Sequence, residues 1–265
     1  MFRQAWSEVR HHPGRFLSTI IAIAISVAFL AGSAVLVATE GQAQGKAMNV
    51  SLAEADVVVT IPPEGSGKGL GPAIAAVAGV ATSVPVYTMS DVVTSGAISE
   101  AISFVNVPPD GLRWASLTAG RWPSAANEVV LSGGAAGALG LRVGDPLTLA
   151  GRSDSVQVVG LTNEPSGLFV KTGYASDARF VASGYTADNA QEWAVKAAPG
   201  ISVADLIDTL EAKLTAIAPT VKVASAAEVR ATSIAHLAQD FDVFANVLWA
   251  FAGVALIVGM ITIAN

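Results

Sequence analysis

The sequence predicts an α+β domain held outside a membrane between two transmembrane helices, and three observations carry that prediction. Two uncharged hydrophobic runs, Phe16 to Ala38 and Val243 to Ala264, bracket about two hundred residues of ordinary globular texture. Within that stretch, two strand-helix-strand patterns are separated by a segment rich in short strands and turns. The charge beside the first run differs sharply from the charge beyond it.

The first fifteen residues predict a short helix lying along the inner membrane surface. Phe2, Trp6 and Val9 fall at i, i+4 and i+7, while Arg3, Glu8 and Arg10 lie elsewhere on the wheel. Pro13 ends that elbow and turns the chain upward. The run from Phe16 to Ala38 holds 23 residues, which as a helix reach roughly 35 Å and cross a hydrocarbon core of about 30 Å. A cleaved signal core is about 7 to 15 residues long, so the run is read as an uncleaved anchor.

Arg3, Arg10 and Arg15 precede the span against one acid, Glu8. The segment from Thr39 to Asp240 carries 12 Lys or Arg against 19 Asp or Glu, a balance of −7. Basic side chains beside a span stay inside, so the N-terminus is expected in the cytoplasm and residues 39–240 outside it. An acidic outer segment does not suit nucleic acid, which needs clustered Lys and Arg.

Val35 to Met48 contains no proline, so the first helix is expected to continue as a stalk, giving transmembrane helix and stalk over residues 16–48. The first half of a sandwich follows over 49–95. It holds a β-branched strand from Asp56 to Ile61, a flexible loop from Glu64 to Gly71, a helix from Pro72 to Val80, and a strand from Ser83 to Val93. Residues 96–187 have a different texture. Ala101–Val107, Glu128–Leu131, Leu147–Leu149, Val156–Leu161 and Arg179–Ala182 read as short strands, punctuated by turns at Pro108–Gly111, Gly144–Pro146 and Glu164–Gly167.

Residues 188–224 repeat the order of the first half. A strand runs from Gln191 to Ala197, and a helix begins at Ser202 with Val203, Leu206, Ile207, Leu210, Leu214 and Ile217 on one face. Pro219 stops it, and Thr220 to Ala224 is a strand. Two such units with right-handed crossovers share one sheet as a split βαβ sandwich, here with a β-rich insert between its halves. Ser225-Ala-Ala-Glu228 is a capping box that opens a second stalk leading into the second span over 225–265. Asn265 follows that span with no basic anchor, so the sequence is expected to be the front part of a longer protein.

Residues that would carry catalysis are sparse. With no cysteine, disulfides and thiolate metal sites are excluded. Of the three histidines, His11 and His12 fall on the cytoplasmic side, and His236 sits on the exit helix, where a Ser-His-acid triad is hard to build. Gly65-Ser-Gly-Lys-Gly69 departs from a phosphate loop, because Pro62 stands at its first glycine position and Gly69 at its Ser/Thr position. Asp205, Asp208 and Glu211 read as the solvated face of a helix. No cofactor, metal or catalytic residue is assigned.

Three stretches resemble the FtsX/MacB family of ABC transporter permeases. Ala5-Trp-Ser-Glu-Val-Arg10 with Pro13-Gly-Arg-Phe-Leu17 is similar to the family's elbow helix. Ala119-Gly-Arg-Trp-Pro123, Asn127-Glu-Val-Val-Leu-Ser132, Leu139-Gly-Leu141 and Val143-Gly-Asp145 resemble a segment of its outer domain, and the exit helix into Phe244–Ile263 resembles the entry to its second transmembrane helix. The resemblance implies a Porter subdomain (the sandwich) and a Sabre subdomain (the insert). It also implies a multi-pass protein of a bacterial plasma membrane and a non-catalytic permease subunit that couples a cytoplasmic ABC ATPase to motion of the outer domain, a process called mechanotransmission.

The implied partners are that ATPase, a second permease half in a dimer, membrane lipid, and a lipid, lipoprotein, peptide or drug cargo. The residues assigned to this work are Trp6, Val9, Arg10 and Arg15 in the elbow and Ser225, Glu228, His236 and Asp240 in the stalk. Two alternatives remain open: a regulator of an extracytoplasmic cell-wall hydrolase, and an anchored binding or scaffold protein without an ATPase.

Overall fold

In the computed structural model, the described residues are 20–21, 24–25, 27–29, 31–36, 38–39, 50–63, 65–150, 155–164, 171–236, 247, 249–251 and 253–254. They fall into two compact units, one of residues 1–42 and 235–265 and one of Ala43–Ile234. In the first unit, 31–36 are helical, and Ile25, Phe29, Val35, Trp249 and Phe251 are exposed. Among the described residues no helix is long and apolar enough to cross a membrane. The elbow and much of each expected span lie outside the described residues.

The second unit contains a four-stranded antiparallel sheet built from both ends of its sequence. Its strands are β1 (Val57–Thr60), β2 (Val80–Pro85), β10 (Glu192–Ala197) and β11 (Lys222–Ser225), in the spatial order β11-β1-β10-β2. Helix α1 (Leu70–Ala75) joins β1 to β2, and α4 (Val203–Leu214) joins β10 to β11. This is the expected split βαβ sandwich. The period of two sorts the strand residues: Val57, Val59, Trp193 and Val195 pack with Leu70, Ile74, Leu206 and Leu210 of the helices. Val58 and Ala194 face the other side. On α4, Asp205, Asp208 and Glu211 are exposed, as the solvated-face reading requires. The helix ends at Leu214, so Ile217 lies beyond the apolar stripe and is exposed.

Between β2 and β10 the chain builds a seven-stranded sheet. It comprises β3 (Thr88–Ser95), β4 (Ile98–Asn106), β5 (Leu117–Gly120), β6 (Glu128–Ser132), β7 (Pro146–Leu149), β8 (Ser155–Thr162) and β9 (Lys171–Ala175), ordered β5-β8-β6-β9-β4-β3-β7. β7 also pairs with the start of β8, through Pro146↔Gln157 to Thr148↔Ser155, so the sheet closes on itself. β5 pairs with the far end of β8, from Leu117↔Thr162 to Gly120↔Gly160. The β-rich texture is therefore that of a small barrel, which removes most free sheet edges.

Three expectations need correction. The single strand expected from Ser83 to Val93 is two strands in different sheets, because the chain crosses from sandwich to barrel at Val86–Tyr87. Arg179–Ala182 is not a strand: Ser176 caps a helix, α3 (Asp177–Ala182), by accepting the Arg179 N–H at 3.3 Å. The helix expected from Pro72 starts at Leu70 and ends at Ala75. A further helix, α2 (Gly133–Leu139), is capped by Ser132 and buries Ala135, Ala136 and Leu139.

Candidate functional site

The motif stretch around Arg121 is an internal tie. The Arg121 guanidinium pairs with both oxygens of Glu128, and Glu128 also accepts the backbone N–H groups of Ser124 at 2.9 Å and Ala125 at 3.2 Å. The Arg121 bond first, and the Ser124 N–H next, hold the Glu128 carboxyl well below the usual carboxylate range. Gly120 has φ +75°, and a Cβ there would stand 2.1 Å from the Val159 carbonyl, so only glycine fits. Downstream, Asp145 accepts the Arg142 N–H at 2.8 Å beside Gly144 at φ +99°. Arg121, Glu128 and Gly120 together hold this loop on the barrel.

Two places gather features of functional interest, and the first is a junction. Leu52, Ala55, Val58, Leu112, Ala194 and Ala226 form one small buried cluster, with Val229 packed against it, on the sheet face opposite α1 and α4. It brings together the segment Val50–Leu52 that follows the expected first stalk, the start of the helix over 226–236, and Leu112 from the insert's Asp110–Leu112 turn. Ser225 starts that helix by accepting the Glu228 N–H at 3.1 Å. Arg230 then donates to the carbonyls of Leu52 and Ala53. Leu52 and Arg230 are far apart in sequence, and nothing in the local pattern of either singles them out.

Of the assigned stalk residues, Ser225 is the observed cap, Glu228 is exposed, and His236 is exposed at the end of the described helix. Trp6, Val9, Arg10, Arg15 and Asp240 lie outside the described residues, as do His11 and His12. Among the described residues no group of acids and histidines is placed to hold a metal ion. The glycine loop is pinned differently from a phosphate loop: the Gly69 N–H donates to Asp188 at 3.3 Å, and the helix that follows has six residues.

The second place is a cavity of about 640 Å³ where sandwich meets barrel. Pro62 and Pro63 after β1, Tyr87 in the β2–β3 link, Tyr185 after α3, Asn189 in the turn before β10 and Glu192 at its start line it. Tyr87, Phe180 and Tyr185 stack around one another with ring centroids 5.3 to 5.6 Å apart. The Tyr185 hydroxyl donates to the Thr88 carbonyl at 2.9 Å. Burial raises the Glu192 pKa above its ordinary value.

Elsewhere, on the outer side of the barrel, Trp114 Nε1 donates to the Tyr174 hydroxyl at 2.8 Å, and that hydroxyl donates to Glu164. Trp122 stands edge-on to Tyr174 at 5.2 Å, with Arg113 over its ring at 5.1 Å. Burial pushes the Glu164 carboxyl up to about 7, against the lowering effect of the Trp114 N–H.

The family model of the MacB-like periplasmic core domain matches residues 16–213. Among solved structures, the chain is similar to the periplasmic region of MacB from Actinobacillus actinomycetemcomitans. Identity is 12% and the TM-score 0.51, over 69% of this chain and 94% of that one. It is also similar to the extracellular domain of the ABC-type transporter YknZ from Gram-positive bacteria, at 13% identity and a TM-score of 0.51, over 64% of this chain and 99% of that one. Comparison with curated protein sequences gives no significant match.

Proposed function

Because the chain belongs to the family of the MacB-like periplasmic core domain, we propose that it is the extracytoplasmic and membrane-anchoring part of an ABC transporter permease whose outer domain is moved by a cytoplasmic ATPase. The permease itself performs no chemistry. ATP hydrolysis in a separate subunit shifts the two membrane helices, and the stalks deliver that shift to the sandwich and its insert.

The observation that supports this reading is the junction. Val50–Leu52 and the helix over 226–236 meet on one sheet face, tied by Arg230 to the carbonyls of Leu52 and Ala53 and sharing a core with Leu112 of the insert. A shift of either segment must therefore push on the sheet and on the barrel together, because close-packed cores transmit displacement rather than absorb it. In this reading residues 39–240 lie outside the membrane, and Trp6, Val9, Arg10 and Arg15 contact the inner surface.

The test is recovery of the native full-length protein in a mild detergent, with its partners identified by mass and assayed for ATP hydrolysis. A nucleotide-hydrolysing partner is the expected result. Recovery of the chain alone, in a detergent that preserves other membrane complexes, would replace the permease reading with that of an anchored binding scaffold.

A further inference from the structure

The cavity between sandwich and barrel has an unbalanced charge. Glu192 is the one charged residue among the described residues lining it. No hydrogen bond or ion pair joins its carboxylate to another described residue. A half-buried carboxylate gives such a cavity a negative field that favours a cation over an anion. The walls supply the rest of a cation site. Tyr185 and the largely buried Tyr87 line it with aromatic rings, a type of surface that attracts cations. Asp177 adds a further negative field at Tyr87. Pro62 and Pro63 make a stiff apolar rim.

The volume, about 640 Å³, lies in the range of small-molecule sites, roughly 300–1,000 Å³. An anion would meet an acid and no lining Lys or Arg. We propose that this cavity binds a small amphiphilic cation, with a protonated amine paired to Glu192 and an apolar body against Tyr87, Tyr185 and the proline pair. As the cargo of a transporter this ligand rests on the permease reading, whereas its binding does not. The position suits a cargo site: Glu192 opens β10 and Tyr87 links β2 to β3, so a ligand here touches both halves of the moving domain.

The experiment uses the full-length chain in zwitterionic lipid nanodiscs, with empty nanodiscs as the blank. Three fluorescent probes share one apolar body: monodansylcadaverine, which carries a primary amine, its neutral N-acetyl derivative, and the anionic dansyl-aminohexanoic acid. The amine is expected to bind saturably, about tenfold or more tighter than the neutral probe, the margin of one charged hydrogen bond. Glu192→Gln should lower amine affinity by about the same factor and leave the neutral probe unchanged. Glu192→Lys should turn the preference toward the acid.

Equal affinity for all three probes, no saturable amine binding up to about 1 mM, or amine binding unaffected by Glu192→Gln would each overturn the proposal. If Glu192→Gln fails to fold by its melting curve, the wild-type preference for the amine over the acetylated probe decides alone. A dansylated single-lysine peptide that binds about tenfold tighter than the free amine would assign the cavity to a protein partner and also overturn it. The assay contains no ATPase. Selective amine binding with no ATPase recovered would therefore keep the cavity and remove the permease reading, and the converse would remove only the cavity.

Discussion

At the scale of single residues, residues 43–234 contain two acids, Glu164 buried and Glu192 half-buried, that the fold keeps from ionising easily. Glu164 is the clearer one, with burial pushing its pKa up to about 7. In the unfolded chain its value returns to about 4.3, so between these values the folded state holds a proton that the unfolded state has lost. Stability therefore falls as pH rises from about 4.5 to 7, by about 2 kcal/mol with solvent still reaching part of the carboxyl. Glu192 acts in the same direction. Glu128 acts in the opposite direction and in a more acidic window, since its depressed pKa confers stability that is lost progressively as pH falls below its unfolded value of about 4.3. Melting of the full-length chain across pH 4.5 to 8 should show the decline, and Glu164→Gln should flatten most of it. An unchanged slope in that variant would mean that the carboxyl is solvated after all. Neither Glu164 nor Glu192 stood out in the sequence, where one sits in a turn and the other opens an apolar strand. Their character comes from what the fold packs over them.

Among the elements, those with a clean period were legible and those with a mixed one were not. β1, with its β-branched run, and β10 lie within a residue or two of where the pattern puts them, whereas α4 opens after Ser202 as expected but ends at Leu214, short of the Ile217 its stripe includes. β9 was missed because Lys171-Thr-Gly-Tyr-Ala175 has a glycine at its centre. The fold uses that gap, since a Cβ on Gly173 would stand 2.6 Å from the Phe104 ring. α2 was missed because Gly133-Gly-Ala-Ala-Gly is a poor helix former, rescued by the Ser132 cap and three buried side chains. Barrel closure depends on β3 meeting β7, from Val93↔Leu149 to Thr94↔Thr148, a long-range pairing with no local signature. The helix over 226–236 was legible from its capping residues, and it is the element that the permease reading depends on. Replacing both Ala231 and Ala235 with proline removes two backbone donors inside that helix and costs about 3 kcal/mol each. The expected result is an outer domain that still folds and an ATPase that still binds, with stimulation of hydrolysis and export both lost. Survival of both activities would show that no rigid helix is needed there.

For the molecule as a whole, the question is whether sandwich and barrel move as one body within residues 43–234. One buried cluster holds Val57 and Leu210 of the sandwich together with Phe104 and Leu131 of the barrel, and Ile61, Tyr87, Phe180 and Ala190 belong to it as well. The junction adds a second, smaller bond through Leu112, which is 1% exposed and belongs to the insert, yet packs on the sandwich sheet. Two shared cores of this kind make separate opening expensive, because either half would expose apolar surface that only the other covers. Amide hydrogen exchange should accordingly report the same opening free energy for β1 amides in the sandwich and β4 amides in the barrel. Leu112→Ala should lower that common value by about 3 kcal/mol, the usual cost of emptying a buried leucine site. If wild-type β4 already exchanged much faster than β1, the barrel would be a loosely tethered appendage. A push on the sheet from the stalks would then stop at the sandwich, and a ligand held between the two halves would be gripped from one side only.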